Sequence, residues 1–479
     1  MSKFVAILDT MSVVELLGAL DAITLDILRD KLLAASVDAH TLPTELRDVA
    51  RLAEALPIVD YPLLRDVTRV VKALSRAVIT YVAAVAAGKD NVTKCMVLDD
   101  HLLPILRVLG AFVNRLRLQE LLEDRELHRW LPFVLTACIF VSGAELSGAD
   151  LMQSVVAAEE TLNAAVELTK AKDRESLVAK YVAEIVALCS QDVDKEQWVA
   201  VSSVNKRIML QVVEQVPFPH LGGDLLGRLL ALTFPLVDDL TDATQLVGAR
   251  MLRHIVKNVT PTELRWYSDV LLEVLRTAIV TRKPDTLNVL LECLMESLDR
   301  VSPPGELKHY DRFIPRLLSD TSLCSDVAVR VIFVRHLRVL VVRQGAPHSL
   351  NIIRYLQPLL KVLVAGFEGV NVALLLATLE ALQATVLAAW PRIASHTEEI
   401  MVGVLRAVAF CELLDEGAEF TPSSENKKQI LALCEDVLDL LHQVNADNSA
   451  VSEMLATVAG QSPKLSPFCN LMREKWTSR

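Results

Sequence analysis

Apolar residues recur along this chain at three- and four-residue steps. The clearest case lies between Asp238 and Val280. Leu246, Ala249, Leu252, Val256 and Val259 fall on one face of a 3.6-period helix. Val247, Met251 and Ile255 form a second apolar row beside it, and Arg250, Arg253 and Lys257 take the remaining side. Asn258 stands where a left-handed C-cap is tolerated. Thr260, Pro261 and Glu263 then spell a capping box with proline at the first helical position. The next helix carries Leu264, Tyr267, Leu271, Val274 and Ala278 inward. A helix pair with two apolar faces cannot bury both by itself. It needs another pair on each side, which is the logic of a stacked repeat array.

The same grammar returns down the C-terminal half. Second helices of successive pairs are predicted to open near Asp242, Asp285, Asp326, Val370 and Ser423. First helices are predicted to close at Asp238-Asp239, Arg282-Lys283-Pro284, Ser319-Asp320 and Glu368-Gly369. Pro261, Pro284, Pro347 and Pro422 sit at helix starts, where the missing N–H costs nothing. A period of about 40–47 residues is that of the HEAT or armadillo type. The expected fold is therefore all-α: a HEAT/armadillo-like α-solenoid of stacked antiparallel helix pairs over residues 191–445. Residues 1–190 read as an irregular helical region and 446–479 as a capping segment. In the first of these, helices are predicted over Ser12–Ala35, Thr41–Leu56, Leu63–Ala87, His101–Leu122, Glu126–Val141, Leu151–Lys170 and Glu175–Cys189. Residues 412–425 read as an exposed acidic insertion.

Composition narrows the function classes. With 52% hydrophobic residues over 479 positions, the chain can bury a continuous core but exceeds a single globular one. A net charge of −11 argues against broad nucleic-acid affinity. The eight cysteines form no CxxC and read as reduced core thiols, so a cytoplasmic and nuclear setting is expected. The N-terminus lacks a basic region followed by a small-residue cleavage site. Val372–Trp390 is the most apolar stretch and carries only Glu380 as a charge. Thr378, Gln383 and Thr385 recur along it, which suits a helix buried in protein, so no membrane partner is expected.

Candidate chemistry is sparse. Asp238, Asp239 and Asp242 make a DDxxD, which in an all-helical enzyme can hold Mg²⁺ for a diphosphate substrate. Here it falls at a turn between helices, where capping and the helix dipole account for it. Leu221-Gly222-Gly223-Asp224 has no strand before it and reads as a helix break. No HExxH, Walker or nucleophile-elbow motif is present. The expectation is a non-enzyme with no cofactor and no metal. Two basic rows remain, one of Arg250, Arg253 and Lys257 and one of Arg330, Arg335, Arg338 and Arg343. Each is either a solvated face or a docking surface for an acidic partner. His254 reads as a structural or interface histidine, and Trp390 as a core residue. The partner-binding candidates are Arg250, Arg253, His254, Lys257, Trp266, Arg354 and Arg392.

The opening stretch also carries a resemblance. Gly248, Arg250, Leu252, His254, Ile255, Val256, Asn258 and Val259, followed by Leu264 and Tyr267, resemble the central segment of the Tel-two-interacting protein two family. Thr378-Leu379-Glu380-x-Leu382 with Trp390-Pro391-Arg392-Ile393 is a second match, and Arg354-Tyr355-Leu356 a looser third. Together they span roughly residues 240–395. The resemblance implies a helical-repeat subunit of the Triple-T complex, partnered by two larger helical-repeat proteins, Tel-two and Tel-two-interacting protein one. It further implies cochaperone work with the Hsp-ninety machinery in support of phosphatidylinositol-3-kinase-related kinases, with roles in DNA-damage signalling, TOR signalling and telomere maintenance. A transport-receptor-like adaptor that binds cargo is the alternative, with a diphosphate enzyme a distant third.

Overall fold

The computed structural model describes residues from 71 to 477. Residues 1–70 lie outside the described residues, as do shorter stretches, chiefly 84–101, 118–123, 144–151, 346–348, 414–421 and 446–448. The helices expected over Ser12–Ala35 and Thr41–Leu56, Pro347, Val370 and most of the acidic insertion therefore fall outside. Among the described residues every regular element is a helix. The chain divides into two compact units, Met1–Glu263 and Leu264–Arg479.

In the first unit the helices with full bounds are α1 (Asp124–Gly143), α2 (Met152–Thr169), α3 (Arg174–Lys180), α4 (Val182–Cys189), α5 (Lys195–Ala200), α6 (Ser203–Glu214), α7 (Asp224–Val237) and α8 (Asp242–Lys257). Helical residues also occur between 71 and 83 and between 102 and 117. One row of packing runs α1, α4, α6, α8, while α5 lies against α7. The apolar rows predicted for α8 split by depth. Ala249, Met251, Leu252, Ile255 and Val256 are fully buried, whereas Leu246 and Val247 are only half-buried. Burying a leucine of this kind contributes roughly 1.5–3 kcal/mol. Gly248 sets the crossing of α7 and α8. A Cβ there would stand 2.5 Å from Val237 N and 2.6 Å from Leu236 C, so only glycine lets the two backbones meet.

The second unit opens at Leu264, inside α9 (Pro261–Arg265). It continues with α10 (Ser268–Ala278), α11 (Pro284–Val301), α12 (Lys308–Leu323), α13 (Val327–Arg343), α14 (Ser349–Arg354), α15 (Leu356–Ala365), α16 (Val372–Ile393), α17 (Thr397–Leu413), α18 (Ser424–Val444), α19 (Ala450–Gln461) and α20 (Ser466–Thr477). The second helices α11, α13, α16 and α18 pack each on the next, and the first helices α12, α15 and α17 form a parallel row. That is the stacking of helix pairs in an α-solenoid. The second helices of both units start at Asp242, Pro284, Val327, Val372 and Ser424, within two residues of each expected opening. Three have side-chain caps: Asp326 accepts from Val329 N, Asn371 from Leu374 N and Ser423 from Asn426 N.

Local differences from the sequence reading have local causes. The first helix expected to close at Ser319-Asp320 runs on to Leu323, because Arg316 pairs with Asp320 one turn later and Thr321 bonds back to Leu317 O. Helices expected as single rods over Glu175–Cys189 and from Leu264 to Ala278 are jointed, and so is the stretch from Ser349 to Ala365. Tyr181, Tyr267 and Tyr355 each leave the helical region (φ −115, −108 and −105) and divide α3 from α4, α9 from α10 and α14 from α15. Asn258 caps α8 with φ −111, not a left-handed conformation, because its side chain itself donates to His254 O. Trp390, expected in the core, is 62% exposed. Ala389 leaves helical geometry just before it (φ −117, ψ 20) and Pro391 follows, so the kink swings the indole outward. Val372–Leu413 is the one described stretch long and apolar enough to cross a membrane, and 61% of its most apolar window is buried inside the protein.

Candidate partner-docking surface

The basic row of α8 is bound to the segment before it. Arg250 grips Glu214 at the end of α6 with two bonds, Nε to Oε1 at 3.1 Å and Nη2 to Oε2 at 2.8 Å. His254 Nε2 lies 2.9 Å from Val216 O, so that nitrogen carries the proton and donates. Asn258 Oδ1 accepts from Phe218 N at 3.1 Å. His254 is thus a structural histidine. Arg253 is half-buried and Lys257 exposed. At the next turn the capping box forms as expected, with Glu263 N 3.3 Å from Thr260 Oγ1 and Thr260 Oγ1 donating to Glu263 Oε2 at 2.6 Å. Glu263 Oε1 also accepts from Gly223 N at 2.7 Å. The Thr260 hydroxyl and then the Gly223 amide hold this carboxyl below the usual range. The acidic turn is punctuation: Asp238 is the C-cap of α7, Asp239 Oδ1 accepts from Thr241 N at 2.7 Å, and Asp242 opens α8.

In the second unit the first helices are linked along their outer face. Glu273 on α10 accepts from Arg276 and from Arg312 on α12. Those bonds, Arg276 first, take its carboxyl down to about 2. Asp311 on α12 receives Arg354 Nη1 at 2.8 Å and the Tyr355 hydroxyl at 2.9 Å from the next joint. The Asp311 carboxylate raises the Arg354 pKa, while partial burial and then Asp311 raise that of Tyr355.

The second helices are linked in the same way. Asp299 on α11 accepts from Arg343 of α13 and from Tyr310 at 2.7 Å. Arg338 pairs with Glu380 of α16 at 3.0 Å, and Gln383 donates to Asp436 of α18 at 3.3 Å. On α20, Trp476 Nε1 donates to Asp439 Oδ1 at 2.8 Å and its ring stacks on His442 at 4.3 Å. Between the second helices α11 and α13 lies His336, whose Nε2 donates to Asn288 Oδ1 at 3.0 Å. Burial, then Arg343 and Arg335, push its pKa down to about 4.

These links share one property. Most join residues 36 to 53 positions apart, about one repeat. Their chemistry is register-setting, since a slip of either helix would part every pair at once. Neither face brings a nucleophile to a base. Burial raises the thiols of Cys138, Cys189, Cys411, Cys434 and Cys469, the first two to about 12 and Cys411 to about 11, so these stay protonated. Among the described residues no three His, Cys, Asp or Glu side chains gather in a way that could hold a metal ion.

The seven partner-binding candidates are divided between the two units. Arg250, Arg253, His254 and Lys257 lie on α8 of the first unit, and Trp266, Arg354 and Arg392 belong to the second. Arg250 and Arg354 are engaged within the fold. Trp266 is 80% exposed in the joint between α9 and α10, and Arg392 is exposed beside Trp390 at the end of α16. Sequence reasoning missed the pairing of Glu214, Glu273 and Asp311 with Arg250, Arg312 and Arg354, because in each pair the arginine lies about a repeat away.

No family model matches the chain. Among solved structures, it aligns with Kap121p bound to Nup53p at 12% identity and TM-score 0.47, covering 92% of this chain and 45% of that one. It aligns with importin beta at 13% identity and TM-score 0.34, covering 94% and 76%. Among curated proteins, human (Homo sapiens) TELO2-interacting protein 2 is 24% identical over 270 residues, 54% of this chain. The chain matches about half the length of that relative, 51%. The sequence is thus similar to TELO2-interacting protein 2, the same family that the Gly248–Val259 segment resembles.

Proposed function

We propose that this chain is a non-enzymatic scaffold subunit of a Triple-T-type assembly. Its partners would be two larger helical-repeat proteins, a Tel-two protein and a Tel-two-interacting protein one. Through them it would serve the Hsp-ninety machinery in the maturation of phosphatidylinositol-3-kinase-related kinases, in cytoplasm and nucleus. The observation that carries the reading is the similarity to a protein whose name records interaction with TELO2. Stacked helix pairs support it physically, because a repeat array offers a long surface suited to another protein.

The test is affinity purification of the tagged full chain from cells, with identification of what accompanies it. Stoichiometric recovery of the two larger helical-repeat proteins is expected. Recovery of a small GTPase with diverse cargo would overturn this reading in favour of a transport adaptor.

A further inference from the structure

Cations collect around one phenylalanine ring of the first unit. Lys72 Nζ and the Arg76 guanidinium each lie 5.1 Å from the centroid of Phe133. They stand four residues apart, one turn, on the same helical stretch. On α1, Arg125, Arg129 and Phe133 also recur at four-residue steps. Two basic stripes therefore meet at the ring. Arg125, Arg129 and Arg76 are exposed, and Lys72 and Phe133 half-buried. Among the described residues one acid pairs with the cluster, Glu126, which accepts from Arg129 at 2.9 Å. Lys72 is lowered by burial first and then by the charges of Arg76 and Arg129. So like charges are held together, on a chain whose net charge is −11.

Such a cluster raises the energy of the free protein, and an anion seated among the cations relieves it. The Phe133 face adds a place for an apolar or aromatic side chain beside the anion. A long polyanion would meet the repulsion of the acidic remainder of the chain, while a short acidic segment would not. We propose that Lys72, Arg76, Arg125, Arg129 and Phe133 form a docking site for a short acidic segment of a partner protein, carrying glutamate or aspartate next to an aromatic residue. The site would take such a segment whether or not the chain joins a Tel-two-type assembly.

The probe is a fluorescein-labelled peptide of six glutamates around one phenylalanine, titrated against the full chain by anisotropy at low salt. Saturable binding that weakens with added salt is expected. Lys72→Gln with Arg76→Gln should lower affinity about ten-fold or more, and Phe133→Leu by a few-fold. Arg335→Gln, in the other unit, should leave it unchanged. Unaltered thermal melting of the glutamine and leucine variants separates lost binding from lost fold. Absence of binding to the parent protein, or equal binding by the glutamine double variant, overturns the proposal. So does a single-stranded RNA of equal charge that binds more tightly than the peptide and loses affinity in the same variant.

Discussion

Arg250 holds Glu214 through two bonds of 3.1 and 2.8 Å, joining the middle of α8 to the last turn of α6. Both side chains are partly exposed, so the pair is screened and its worth is small, about 0.5–1 kcal/mol. Arg250→Ala should lower stability by no more than that. Exchanging the two charges, Arg250→Glu with Glu214→Arg, should restore most of the loss in a chemical-denaturation series. Charge reversal at Arg250 and Arg253 together tests docking separately: unchanged partner recovery would leave both arginines with structural roles alone.

A far larger effect is expected two residues further along α8. Leu252 is fully buried, and Leu252→Asp would place an uncompensated carboxyl between helices. The cost is about 3–5 kcal/mol. Soluble yield should collapse, with every partner lost together and not one selectively.

Two glycines should respond with opposite signs. Gly248→Ala forces a methyl against the α7 backbone at 2.5 Å and should destabilise by about 1–3 kcal/mol. Gly460, in α19, has nothing within 4 Å of its missing Cβ. Gly460→Ala should stabilise by up to about 1 kcal/mol through helix propensity, visible as a raised Tm.

Acid should act in two windows. An unfolded histidine charges near 6.5, whereas His336 resists until about 4. Its Nδ1 is buried without a hydrogen-bond partner, so a proton there would have no acceptor. Stability is therefore full above pH 6.5, declines as pH falls toward 4, and levels off below. The loss is on the order of 3 kcal/mol. His336→Gln should flatten that window in urea titrations. Glu273, lowered from 4.5 to about 2, contributes above pH 4.5 and loses its contribution as pH falls through about 2. Glu273→Gln should flatten only this lower window.

Trp266 tests the partner surface without touching the core. At 80% exposure, Trp266→Ala should shift stability by less than about 0.5 kcal/mol. If it anchors a helical-repeat partner, recovery of that partner in affinity purification should fall while the melt stays in place. Equal recovery would remove Trp266 from the docking surface.

What could be read in advance was whatever is decided within one helical turn. Caps at Asp326 and Ser423, the box of Thr260 and Glu263, and the apolar face around Leu252 depend on neighbours three or four residues away. The sequence shows those neighbours directly. Trp390 was misplaced because its apolar surroundings said nothing of the kink at Ala389. The joints at Tyr181, Tyr267 and Tyr355 were missed because tyrosine is an ordinary helix residue, and only the packed partner, such as Asp311 for Tyr355, distinguishes it. The acids that engage Arg250, Arg312 and Arg354 sit a repeat away, where periodicity gives the distance but not the pairing.

That spacing has a consequence for how such a chain can change its length. When each polar link closes on the adjoining repeat, no residue needs a partner several repeats distant. A repeat still cannot be excised freely, because the partners differ: Asp299 meets Arg343, Arg338 meets Glu380 and Gln383 meets Asp436, so each helix is fitted to its own neighbour.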